Sequence, residues 1–211
     1  MKVLIISSGK TDMIWEKHYN STDYDETRRR SLDCNIEEWK GERISTSGRP
    51  VYVASGKGAM QTAEQFFTDA EIIVEPLLDE VPQRSYKDTD KTLPLWRWRL
   101  MASWQRCLGS TRQPETRVQT KERARKLLDL LESKKQDCIL ISHPVFIKIL
   151  LSQFSARGYC ITGRSFLHIA PLERIVITKW DMHCGGCGHN CLLSNPGCGV
   201  GRDAGRRRGF R

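Results

Sequence analysis

Three four-residue apolar runs constrain this chain more than any other feature: Val3-Leu4-Ile5-Ile6, Val51-Tyr52-Val53-Ala54 and Cys138-Ile139-Leu140-Ile141. A strand with one wet face alternates, whereas a continuous run must bury both faces, as strands of a parallel sheet covered by helices do. Each run empties into small polar residues: Ser7-Ser8-Gly9-Lys10-Thr11, Ser55-Gly56-Lys57-Gly58 and Ser142-His143-Pro144. Glu71–Glu75 reads as a further short strand. Glu173–Lys179 alternates as an edge or antiparallel strand would.

Helical patterns fill the intervals. Asp12 to Gly48 is polar and irregular, with one short helix expected around Tyr24–Leu32. A helix after Gly58 puts Ala59, Ala63, Phe66 and Phe67 on one face. Leu95 to Leu108 is a helix whose Trp96, Trp98 and Trp104 are expected in the core. Within Glu115 to Lys134, Ala124, Leu127, Leu128 and Leu131 follow the spacing of an apolar helical stripe. Pro144 suits a helix's first turn, and Val145–Phe154 is apolar on nearly all sides. The expected fold is α/β: a three-layer α/β/α sandwich with a mostly parallel sheet over residues 1–180. Ligands of such sheets bind beyond the carboxyl ends of the strands, where the three polar loops lie.

Composition excludes some functions. No apolar run is long enough for a membrane span, and Met1-Lys2 leads into a strand rather than a secretory signal, so a cytoplasmic location is the default expectation. The net charge of +9 includes no long basic block, and nucleic acid is not the expected partner. A phosphorylated or otherwise anionic small molecule fits the basic balance better. Cys107, Cys138 and Cys160 sit in apolar surroundings and are expected to be buried thiols.

Gly9-Lys10-Thr11 invites a P-loop reading, but that motif needs a glycine where Leu4 stands inside the strand. Ser8 as an activated nucleophile needs a base within hydrogen-bond reach, and His143 could supply it. The plainer alternative is that Ser7 and Ser8 are small loop residues that only donate hydrogen bonds. His143 joins a buried strand to a helix whose amide dipoles face the presumed pocket, a natural anion site.

Together these stretches resemble the histidine phosphatase superfamily, with its phosphoglycerate mutase-like fold. KVLIISSGKTD is similar to the family's first strand and Arg-His-Gly-Glu-Thr loop, and VYVASGKGAMQTAEQFF to its arginine-bearing loop and Gln-Thr-Ala-Glu helix. EPLLDEV resembles the acid-bearing segment, QPETRVQTKERARKLLDLLES the long helix, and CILISHPVFIKILLSQF the Ser-His-Gly strand and helix. The resemblance implies a histidine nucleophile, two clamping arginines, a second histidine and a general acid. Here the nucleophile position falls on Ser8 and the arginine positions on Ser7 and Gly58. His143 matches the second histidine, Glu80 the acid, and Gly9 and Thr11 survive from the first loop. Lys10 or Lys57 could supply charge, though lysine cannot form arginine's bidentate fork. The reading is a divergent member, a pseudoenzyme, that binds an anionic ligand through Ser7, Gly9, Lys10, Thr11, Lys57, Gly58 and His143. The competing reading is an active phosphomonoesterase or other esterase using Ser8 or water with His143 and Glu80.

Residues 181–211 change character abruptly to Cys, Gly and Arg. Cys184, Cys187, Cys191 and Cys198 suit one metal centre, either Zn²⁺ held by four thiolates or a four-iron, four-sulfur cluster, with His183 or His189 as substitutes. Arg202 and Arg206-Arg207-Arg208 beside it suit docking to a protein partner or an anionic surface. An iron–sulfur redox partner protein is a third reading.

Overall fold

The computed structural model describes residues 1–163 and 169–179; the Cys-rich tail and its expected metal ligands Cys184, Cys187, Cys191 and Cys198 lie outside the described residues. Among the described residues, six strands form one sheet. In chain order they are β1 (Lys2–Ser7), β3 (Val51–Val53), β4 (Ile72–Val74), β6 (Cys138–Ser142), β7 (Tyr159–Thr162) and β8 (Arg174–Lys179). Their spatial order is β4-β3-β6-β1-β8-β7. The first four run parallel, and β8 runs antiparallel to both of its neighbours. Every residue of β3 and β6 is buried, which is what their unbroken apolar runs require.

The main helices are α1 (Ser21–Asp33), α2 (Lys57–Phe66), α3 (Leu95–Cys107), α4 (Arg117–Lys134) and α5 (Pro144–Ala156). They complete the three-layer α/β sandwich. The expected stripes are the buried ones: Ala59, Ala63 and Phe66 on α2, and Ala124, Leu127, Leu128 and Leu131 on α4. Thr116 opens α4 with a capping box to Gln119, and Lys135 in a left-handed conformation (φ 50°) ends it.

Several expectations are corrected. The helix expected at Tyr24–Leu32 is longer, because the Asn20 side chain accepts the Asp23 amide at 2.8 Å and caps it from Ser21 onward. A small ribbon, β2 (His18–Tyr19) with β5 (Leu93–Pro94), lies apart from the main sheet. Of the α3 tryptophans only Trp98 is core: it stacks on Tyr24, and its Nε1 donates to the Tyr19 carbonyl at 3.0 Å. Trp96 and Trp104 are exposed. Among the thiols, Cys138 is buried and pushed up to about 12 by that burial, while Cys107 is exposed and Cys160 half-buried.

Candidate functional site

Sheet register builds the site. Ser7 pairs with Ser142 across β1 and β6, and Val53 pairs with Ile141 across β3 and β6. The three strands therefore end level, and the next residues of β1 and β6 are Ser8 and His143. The Ser8 amide donates to the Ser142 carbonyl at 2.8 Å, and Ser8 Oγ lies 3.0 Å from His143 Nδ1. When Ser8 Oγ donates to Nδ1, the ring's proton sits on Nε2, which lies 3.6 Å from where a β-carbon on Gly56 would be. Burial pushes the His143 imidazole below its ordinary value, against a weaker opposing pull from the Glu80 and Asp79 carboxylates. His143 is thus neutral at neutral pH, fit to accept or donate one hydrogen bond on each side.

Beyond His143 opens a cleft of about 510 Å³ lined by Ser55, Gly56, Lys57, Asp79, Glu80 and Arg123, among others. Two helices begin there, α2 after Gly56 and α5 after His143, and neither cap residue satisfies its first-turn amides with a side chain. The cleft's arginine is already engaged. Arg123 forms a two-pronged ion pair with Glu115 (3.1 and 3.0 Å) and donates to the Leu77 and Asp79 carbonyls. It thereby ties α4 to the short 3₁₀ turn Pro76–Leu78 that delivers Glu80. Glu80 in turn pairs with Arg28 of α1 at 3.1 Å, both side chains mostly buried.

The expected residues divide into two groups. Ser8, His143, Glu80 and Lys57 converge around the ends of the parallel strands, whereas Gly9 and Gly58 pack against Ile36. Lys10 and Thr11 instead face a strap, residues 34–39, that crosses the first loop. Lys10 pairs with Glu37 at 2.5 Å, and Thr11 bridges Ile36. Ser7 is buried, and among the described residues its Oγ has no hydrogen-bond partner.

Sequence reasoning missed four contributors. Thr62 accepts the Gly9 amide at 2.9 Å and donates to the Gly58 carbonyl at 2.6 Å, locking the first loop to α2. Ile36 packs between Gly9 and Gly58, and Gln61 Oε1 accepts its amide at 3.0 Å. Arg28 and Arg123 hold the acidic turn. The signals available were slight: a single apolar residue between Asn35 and Glu37, and a threonine within Gln61-Thr62-Ala63-Glu64.

The family model of the histidine phosphatase superfamily (branch 1) matches residues 29–181, and the chain belongs to that superfamily. The match begins after the first loop, so Ser7 and Ser8 fall outside it. Similar solved structures include a phosphoserine phosphatase variant from Entamoeba histolytica in complex with phosphoserine, at 18% identity over 74% of this chain and 80% of that one, with a TM-score of 0.45. Others are Mycobacterial hydrolase 2 (16%, 72% and 71%, TM-score 0.47) and YhfR of Bacillus stearothermophilus (15%, 74% and 80%, TM-score 0.44). No curated protein sequence matches the chain.

Proposed function

We propose that this chain is a divergent histidine-phosphatase-fold protein that has given up phosphohistidine catalysis and binds an anionic, phosphate-bearing ligand in the His143 cleft. One observation carries the reading: where a histidine would attack phosphorus stands Ser8, its hydroxyl 3.0 Å from the neutral ring of His143. A neutral nucleophile approaches a phosphate dianion only if cations first offset the repulsion. Both arginine positions hold small residues, Ser7 and Gly58, and Arg28, Arg123 and Lys10 are each matched to a carboxylate. What is left to hold the anion is the first-turn amides of α2 and α5, His143 Nε2–H, and Lys57 on the rim.

Inorganic phosphate and phenyl phosphate serve as probes. Their titration into the protein is expected to shift the His143 ring signals saturably in NMR, with Lys57→Glu weakening the effect and no phosphate released from phenyl phosphate. Absence of any saturable shift contradicts the reading.

The same 3.0 Å contact supports a second reading, in which His143 takes the Ser8 proton as the hydroxyl attacks an ester and Glu80 assists the leaving group. For Cys184, Cys187, Cys191 and Cys198 we propose a regulatory or partner-docking metal site, on ligand spacing alone. Metal analysis of anaerobically purified protein tests it. Stoichiometric zinc in colourless protein favours the zinc form, colour with iron and sulfide favours the redox alternative, and metal-free protein contradicts both.

A further inference from the structure

Two tryptophans expected in the core stand in solvent, and their spacing is regular. On α3, Trp96 (65% exposed), Leu100 (52%), Trp104 (64%) and Leu108 just past the helix end (75%) recur every fourth residue. Residues four apart lie on one face, so these side chains form a line about 18 Å long at the helical rise. The opposite face, with Trp98, Ala102 and Arg106, is buried against the protein. The stripe is therefore not a core face awaiting its own domain.

The charges on the helix itself are one-sided. α3 carries no carboxylate, and Arg97 and Arg99 are exposed beside the apolar line. At its amino end the Arg99 guanidinium stacks over the Trp15 ring at 4.7 Å. A shallow groove there is lined by Trp15, Lys17 and Trp96, with Glu16 as its acidic member. At its carboxyl end Arg117 of α4 reaches Cys107 at 3.9 Å.

We propose that this face of α3 is a docking surface for an anionic lipid bilayer, with Trp96, Leu100, Trp104 and Leu108 seated at the headgroup boundary and Arg97, Arg99 and Arg117 on the lipid phosphates. Tryptophan prefers that boundary because its ring is apolar and its N–H polar. Arginines flanking an apolar helical stripe supply the attraction to anionic headgroups. Self-association through the stripe fits less well. Two copies would bring the α3 arginines together with no α3 carboxylate to pair them. Among the described residues no helix is long and apolar enough to cross a membrane, so the protein would lie on the surface. The arginine-rich tail, Arg202 to Arg211, offers a second basic element, and peripheral binding generally needs two.

Cosedimentation of the full chain with phosphatidylcholine vesicles, with and without phosphatidylserine, tests this. The full chain is expected to pellet with phosphatidylserine vesicles, to be released by salt, and to stay soluble with pure phosphatidylcholine. Trp96→Ala/Trp104→Ala should reduce the bound fraction more than about tenfold. Arg97→Gln should reduce it about fivefold, since one cation near an anionic surface contributes about 1 kcal/mol. Both variants change exposed side chains, and unchanged circular dichroism will show them folded. Vesicle binding that the tryptophan variant retains in full would assign it to the tail and overturn the proposal. So would no vesicle binding at all, or a dimer in analytical ultracentrifugation that Trp96→Ala/Trp104→Ala dissociates.

Discussion

A β-carbon on Gly58 would lie 3.3 Å from Ile36 Cγ2, and one on Gly9 3.0 Å from Ile36 Cδ1. The Ile36 side chain thus fills the notch between the first loop and the start of α2, where an arginine side chain from position 58 would have to pass. Its strap is fixed at several points: the Glu37 amide donates to the Lys10 carbonyl at 2.8 Å, and Gln61 Nε2 donates to Asn35 Oδ1 at 2.9 Å. Ile36 and the two glycines thus form one packing unit, in which a side chain at position 58 competes with Ile36 for space.

Placing an arginine there should therefore cost stability. Gly58→Arg alone is expected to destabilise the fold by about 1–3 kcal/mol through overpacking. Ile36→Ala in the same chain should recover part of that loss. A double-mutant cycle from urea unfolding gives the coupling, and simple additivity would show that the two positions do not compete.

Thr62 is the clamp between first loop and helix. Thr62→Val keeps the shape and strands the buried Gly9 amide, so a loss of about 1–3 kcal/mol is expected. Hydrogen exchange at Gly9 should accelerate before that of β1. Unchanged exchange there would mean the contact does not hold the loop.

Arg123 and Glu115 are nearly buried, and the arginine also carries two carbonyls of the acidic turn. Arg123→Ala leaves the Glu115 charge unpaired and should destabilise by about 3 kcal/mol, more than Arg123→Ala/Glu115→Gln does. The order of the two melting temperatures checks this.

His143 gives the fold a defined acid sensitivity. Its folded value lies below the ordinary 6.5, so between the two the unfolded chain binds more protons. The contribution to stability is fully present above pH 6.5 and is lost as pH falls through the lowered value. Denaturant unfolding should show stability falling on that side, with the slope reduced in His143→Gln. An identical pH profile in the variant would contradict the neutral ring of the folded state.

Most of the fold was legible because β1, β3 and β6 are buried on both faces and announce themselves as unbroken apolar runs. The short ribbon of β2 and β5, and β7 with Tyr159 as its one buried residue, carry no such pattern. On α3 the apolar content reads as core, yet the wheel splits it. Trp98 points inward, while Trp96 and Trp104 share the outer line. Ser8 and His143 could be paired from topology alone, since strand ends meet on one edge of a parallel sheet. Ile36 could not, because its role depends on a loop crossing that no local pattern encodes.

The proposed loss of phosphohistidine catalysis requires the buried Ser8 hydroxyl to serve as a hydrogen-bond partner of His143 and not as a nucleophile. The most direct measurement is hydrolysis of 4-nitrophenyl phosphate by the wild-type chain beside Ser8→Ala and His143→Ala. All three are expected to release 4-nitrophenolate at the same background rate. Turnover by the wild type that both substitutions abolish would contradict it.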